Sequence, residues 1–300
     1  MLTVTWTDPR GKVWDLSGGT EGVLLDLGQE GLDWSPIEHT WARGDMVWSV
    51  GRVTRGVHNL KITLGYSPAV GWLTGDALYQ LLDEWWGQAN SPFETGVLTV
   101  TRPDGQTRSR RLRLADTPGT SYTYDPGLGM EPVTELWSLT GDGGWWDGPE
   151  QSYTATYYNG ALSGDQTKFY GGDTGAGWPL YISGGMYAGD AFVQNTGQGP
   201  MWLTWLIKGT VRNPTFGVTD VGVLRFEGTI SVDQTVEIST DPTDRYVIDV
   251  DTGESLYSQV SGVWAPVPVG DRVPLTIAMD SNGTGVRVIA TGREQFARAF

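Results

Sequence analysis

Short runs of this chain alternate apolar and polar residues with a period of two, and that alternation constrains the fold more than any other feature. In LRFEGTI, Leu224 and Phe226 fall on one side and Arg225 and Glu227 on the other; in VDQTVEI, Val232, Val236 and Ile238 oppose Asp233, Thr235 and Glu237. RYVIDV, PLTIAM and GVRVIA follow, each bounded by Gly, Pro, Asn or Asp. Successive side chains of a strand point to opposite faces, so such runs describe antiparallel sheets with one buried face, as in a sandwich or jelly roll. PMWLTWLIKG places Met201, Leu203, Trp205 and Ile207 on an apolar face and Trp202, Thr204, Leu206 and Lys208 on a mixed one. Trp205 is expected in a core. Trp202 is left open between packing and a possible glycan contact.

The 43 glycines and 16 prolines among 300 residues supply the many turns that short strands need. The first half offers MVWSV, LKITLGY, VLTVTR and RRLRLA as further strands. It adds one helix, DALYQLLDEWWG, with Leu78, Leu81, Leu82 and Trp85 at i, i+3, i+4 and i+7, Asp76 placed to cap it and Gly87 placed to end it. GDGGWWDGPE (141–150) breaks the pattern, so domains are expected at 1–150 and 151–300. The last segment, GVRVIATGREQFARAF, could return to pair with the first domain.

Formal net charge is −15, shared by both halves: residues 1–150 carry 11 Lys+Arg against 20 Asp+Glu (−9) and the remainder 9 against 15 (−6). Such a surface repels nucleic-acid phosphates and anionic membranes, yet suits the wall of a channel through which a polyanion slides. No apolar run is long enough to span a bilayer, and MLTVTWTDPRGKVWDL, interrupted by Asp8, does not read as a signal peptide. The absence of cysteine excludes disulfides, thiolate metal sites and a thiol nucleophile.

No motif carries chemistry. Asp173-Thr174-Gly175 and Asp251-Thr252-Gly253 spell the aspartic-protease triplet, but Asp173 follows two glycines and only 78 residues (251 − 173) separate the two. YVIDVDTGESLY reads as a hairpin turn, and DVDTG lacks the later acidic ligands of a calcium loop. His39 and His58 have no serine elbow or HExxH motif beside them, Asp83 and Glu84 point apart on a helix, and Arg43-Gly44-Asp45 reads as a turn. No catalytic, cofactor or metal residue is assigned. The one basic cluster, Arg108, Arg110, Arg111 and Arg113 in RSRRLRL, is read as an interface patch for acidic surface on a neighbouring subunit, with a solvated strand face as the alternative.

The order of these features resembles the distal tail protein (Dit) family of long-tailed bacteriophages, minor tail proteins of the baseplate. LTVTRPDGQTRSRRLRLA is similar to the family's hairpin with a Pro-Asp-Gly turn, and LWSLTGDGGWWDGPEQ to the element closing its first domain, with Gly143-Gly144 in place of a proline. QNTGQGPMWLTWLIKGTV, YVIDVDTGES and APVPVGDRVPLTIAM fill the successive places of its second domain. The resemblance implies a mostly β fold: an N-terminal β-rich domain with one α-helix, then a C-terminal galectin-like antiparallel β-sandwich. It implies a non-enzymatic virion protein made in the host cytoplasm, forming a homo-oligomeric ring, hexameric in the family, through residues 1–150. That ring would join the tail tube protein to a tail-tip protein or tail-associated lysin and pass tape-measure protein and DNA without sequence-specific binding or membrane insertion. The alternative is a carbohydrate-binding sandwich that contacts host cell-wall glycan.

Overall fold

Alternation of this kind becomes antiparallel pairing. The computed structural model describes residues 2–33, 37–38, 52–53, 56–89, 91–116, 118–129, 131–141, 143–158, 161–162, 191–283 and 285–300. The protein is mostly β, with large antiparallel sheets and, among the described residues, one α-helix, Gly75–Gln88. The chain divides into two compact units, residues 1–149 with 295–300, and residues 150–294. No helix among the described residues is long and apolar enough to cross a membrane.

In the first unit the strands pair in the order Val13–Asp15, Thr3–Thr7, Gly96–Thr101, Thr107–Leu114, Val133–Gly141, Val57–Leu64 and Val23–Leu25. Pro103-Asp104-Gly105 forms the turn that sets Thr101 opposite Thr107, with Gly105 at φ 85°, in the left-handed region that glycine tolerates. The helix buries Leu78, Leu81, Leu82 and Trp85, the stripe its spacing dictates.

Its ends differ from expectation. Thr74 is the N-cap and makes no side-chain cap bond; Asp76 lies inside the first turn, because Gly75, at φ 55°, begins the helix two residues earlier than a cap at Asp76 would. There the carboxylate faces the positive end of the helix dipole. Gly87 does not end the helix, which runs to Gln88; buried Ala89 closes the last turn by donating its N–H to the Trp85 carbonyl.

Four tryptophans meet beneath that helix. Trp85 stacks on Trp137 at 4.4 Å, while Trp14 meets Trp85 edge-on at 5.0 Å and Trp6 meets Trp137 edge-on at 5.8 Å. A buried indole still needs a partner for its N–H. Trp6 donates to the Ala89 carbonyl at 2.5 Å and Trp14 to the Asp8 carboxylate at 3.2 Å. Fully buried Glu135 accepts from Trp85 at 2.9 Å, from Trp137 at 3.1 Å and from Trp86. Gly96 makes room for this cluster: a Cβ there would stand 2.2 Å from the Trp6 ring.

The second unit stacks two antiparallel sheets on one core. One runs Val286–Phe296, Leu203–Lys208, Thr235–Ser239, Tyr246–Asp249; the other runs Phe192–Asn195, Gly270–Ala278, Thr215–Val218, Gly222–Phe226, Val260–Gly262. Met201, Leu203, Trp205 and Ile207 are all buried, as their alternation requires, and Trp205 packs 5.2 Å from Phe216 of the facing sheet. Val236, Ile238, Leu224 and Phe226 are buried too. Val232 is not: it is 63% exposed, in a turn closed by the Gln234 N–H on the Ser231 carbonyl, before the strand begins.

The arrangement around Glu135 sets a stability expectation. Glu135→Leu should destabilise the protein by on the order of 3 kcal/mol or more, because buried indole N–H groups lose their acceptor. Glu135→Gln, which keeps an acceptor oxygen, should cost clearly less. Urea unfolding followed by tryptophan fluorescence checks both; a Leu variant as stable as wild type would remove Glu135 from its role.

Candidate functional site

Neighbours on a strand point to opposite faces, and this splits the arginine cluster. In Thr107–Leu114, Arg108 and Arg110 are buried, Arg111 is exposed and Arg113 half-buried. The expected four-arginine surface patch is therefore corrected: Arg108 and Arg110 face the interior of the first unit, and only Arg111 and Arg113 face outward.

Both buried arginines have structural partners. Arg108 donates from Nη1 to the Arg298 carbonyl at 2.9 Å and lies 3.9 Å above the Phe296 ring, while the Ala299 N–H bonds the Leu32 carbonyl at 2.9 Å. The C-terminal residues 295–300 are thereby held in the first unit. Arg110 donates from Nη2 to the Gly143 carbonyl and stands 6.0 Å from the Trp146 ring. Burial lowers the Arg110 pKa to about 10, and Asp147 opposes that shift.

His58 occupies the same interior, its ring edge-on to Trp146 at 5.5 Å. Neither ring nitrogen has a hydrogen-bond partner of good geometry. Burial first, and the Arg110 charge second, push its pKa down to about 4, against a weak opposing contact with the Gly31 backbone. A neutral, enclosed imidazole without a carboxylate beside it is a packing group rather than a base. His39, Arg43-Gly44-Asp45, Asp173-Thr174-Gly175 and the MVWSV run lie outside the described residues.

The other titratable candidates do not converge. Asp83 is exposed, whereas half-buried Glu84 turns aside to pair with Lys12 at 2.5 Å. Asp251 sits in the expected turn after Tyr246–Asp249, but the carboxylate that organises the turn is Asp249, which accepts the N–H groups of Asp251 at 2.9 Å and Thr252 at 3.3 Å. The hydrogen bond from Gln234 first, and those backbone bonds after it, hold the Asp249 pKa below its ordinary value. No group of His, Asp and Glu among the described residues could hold a metal ion. Trp202 is half-buried. In the second unit exposed Tyr257 stacks at 5.6 Å on half-buried Trp264, with the Arg245 guanidinium 4.8 Å from the Trp264 ring.

What the structure does build is two contrasting surfaces on the first unit. The outer sheet face carries rows of hydroxyls across three strands: Thr3, Thr101 and Thr107; Thr5, Thr99 and Ser109; then Thr7, Val97 and Arg111. The helix turns the stripe Asp76, Tyr79, Asp83 and Trp86 outward. Tyr79 and Trp86 are 43% and 44% exposed, although their polar atoms bond Asp125 and Glu135. Both surfaces escaped sequence reading, which tracked buried faces; the helix stripe is legible as the complement of the Leu78–Trp85 one.

No protein-family model and no curated protein matches the sequence. Among solved structures, the Dit protein (gp 19.1) of phage SPP1, described as a paradigm of the hub adsorption apparatus in phages infecting Gram-positive hosts, superposes with a TM-score of 0.57 at 12% identity, covering 99% of each chain. The chain has the Dit fold. Chains of the phage P2 baseplate in its activated conformation agree: the calcium form gives a TM-score of 0.53 at 15% identity over 97% of this chain and 98% of that one. The strontium form gives 0.52 at 14% over 96% and 98%. At such identities the likeness is one of backbone, and in this Dit-fold chain the arginine interior and hydroxyl rows belong to its own sequence.

Two measurements follow. Arg110→Glu, which buries an uncompensated carboxylate, should lower the melting temperature by roughly 5 °C or more, whereas exposed Arg111→Glu should leave it nearly unchanged. His58 also ties stability to pH. Its folded pKa, about 4, lies below the ordinary 6.5, so the unfolded chain binds the proton first. The contribution is complete above about pH 6.5 and declines as pH falls toward about 4, by on the order of 3 kcal/mol in all. Urea midpoints across that window should fall less steeply for His58→Phe than for wild type; equal slopes would contradict the assignment.

Proposed function

We propose that this chain is a structural, non-enzymatic subunit of a bacteriophage tail tip. In this reading it forms a homo-oligomeric ring, hexameric, through its first unit. The ring joins the tail tube protein to a tail-tip protein or tail-associated lysin, and leaves an opening for tape-measure protein and DNA. It is made in the host cytoplasm and ends in the virion. The observation that carries the reading is the agreement of fold with the SPP1 hub protein over 99% of both chains, both units included.

Physical features support it. A net charge of −15 keeps a DNA-conducting wall from binding the polyanion that passes it. His58 is enclosed, Glu135 holds indoles and Asp249 holds a turn, so each of these three is committed to structure. A subunit whose work is assembly needs large contact faces rather than a cleft, and the first unit presents two.

The glycan-binding alternative rests on aromatics in the second unit. Trp202 is half-buried, and half-buried Trp264 already contacts Tyr257 and Arg245, which leaves less free ring face for a sugar.

Electron microscopy and native mass spectrometry of the purified full chain at tens of micromolar should show closed rings, because a contact of about 800 Å² per partner usually persists there. A monomer under those conditions would end the ring reading. Titration with cell-wall glycan should give no saturable change in tryptophan fluorescence; saturable quenching abolished by Trp202→Ala would favour the alternative.

A further inference from the structure

We infer that the first unit docks on a second copy of this chain head-to-tail, the acidic aromatic helix stripe of one subunit seating on the Arg111-bearing sheet face of the next. The inference rests on the ring reading and specifies which surfaces close it.

The helix side is built for burial. Asp76, Tyr79, Asp83 and Trp86 follow one another at spacings of three, four and three residues, so they share one outward line. Beside them the Pro126–Leu128 turn, whose Asp125 accepts the Tyr79 hydroxyl, leaves Leu128 60% exposed. Tyrosine and tryptophan are the residue types that dominate interface energetics, and apolar surface of this kind is costly to leave in water. Its own residues are acidic: 62–101 and 114–149 contain no lysine or arginine, and the cation that reaches the helix, Lys12, is taken up by Glu84 rather than by Asp76 or Asp83.

The sheet side is its complement. The strands Thr3–Thr7, Gly96–Thr101, Thr107–Leu114 and Val133–Gly141 place no carboxylate on their outer face, which offers threonine and serine hydroxyls, the apolar groups of Val97 and Leu136, and the cation of Arg111; Asp15 beside Thr5 and Asp147 beside Ser109 mark its margins. Strand alternation is strict here, so the surface is broad and uninterrupted. An arginine against an exposed tryptophan or tyrosine gains from the ring face as well as from nearby carboxylates.

The two surfaces cannot meet within one chain. Trp85 of the helix packs against Trp14 and Trp137 on the inner sheet face, whereas Arg111 projects from the opposite face. They lie on opposite sides of the first unit, so the complementary charges can pair only between copies. A contact between unlike surfaces is heterologous, and it closes into a ring when its rotation divides a full turn.

The test is a mixing experiment on the full chain. One variant combines Asp76→Lys with Asp83→Lys; the other carries Arg111→Glu. All three sites are exposed, and near-UV circular dichroism of the tryptophan core confirms folding. By native mass spectrometry and sedimentation velocity at low salt, each variant alone should lose assembly at least tenfold. An equal mixture should recover it, in particles holding the two chains in equal number, because each reversed face now meets an opposite charge. A wild-type chain that is itself monomeric would sink the ring reading, and this interface with it. A wild-type chain that assembles while either variant assembles equally well alone, or while the mixture recovers nothing, would leave the ring standing and overturn this interface.

Discussion

Everything in the first unit is arranged around a carboxylate that has no access to water. Glu135 is fully buried, and a charge taken out of water must be met by donors or it prevents folding. The donors here are chiefly indole N–H groups from two elements, Trp85 and Trp86 on the helix and Trp137 on the strand, with the Thr120 hydroxyl at 3.4 Å beside them. Satisfying one carboxylate from both draws the rings together, and the 4.4 Å stack of Trp85 on Trp137 is the result. That contact also fixes the rotation of the helix. With Trp85 turned inward toward Glu135, Asp76, Tyr79, Asp83 and Trp86 are left on the outer side. The surface proposed for assembly is thus set by the hydrogen bonding of the interior.

The arginines obey a related constraint with another outcome. Arg108 and Arg110 are taken inside by the same alternation that buries Leu112, and each is accommodated by backbone carbonyls and aromatic rings. In consequence Arg108 holds the C-terminal end of the chain, so the first unit is completed by residues far away in sequence. His58, enclosed beside Arg110, stays neutral because burial penalises its charged form and, second, because of that cation. Arg108, Arg110 and His58, candidates for binding or catalysis in the sequence, are structural here.

A tail-tip role and this architecture suit each other physically. Ring subunits require rigid units with extended faces, and a stack of tryptophans under a helix gives rigidity without cofactors. An acidic exterior favours passage of DNA over binding it. Against that background, a sheet face whose central strands carry hydroxyls and Arg111, with carboxylates only at its margins, is the exception in a chain of net charge −15.

Strand alternation is a local property, so the sequence by itself determined much: the apolar face of Met201, Leu203, Trp205 and Ile207, the helix stripe of Leu78 to Trp85, and the Pro-Asp-Gly hairpin. The same rule, applied strictly, would have separated Arg108 and Arg110 from Arg111, since a period of two puts them on different faces. Which of those faces lay inside was not legible, because an arginine reads as polar until Phe296 and the Arg298 carbonyl arrive from the other end of the chain. Val232 shows the opposite case, an apolar residue with the right spacing that a turn removes from its strand. Only the tertiary structure decided that Glu135 would be the centre of the first unit. Its indole donors lie 49 and 50 residues away on the helix and two away on its own strand, and hydrogen bonds across such separations leave no periodic trace in the chain that makes them.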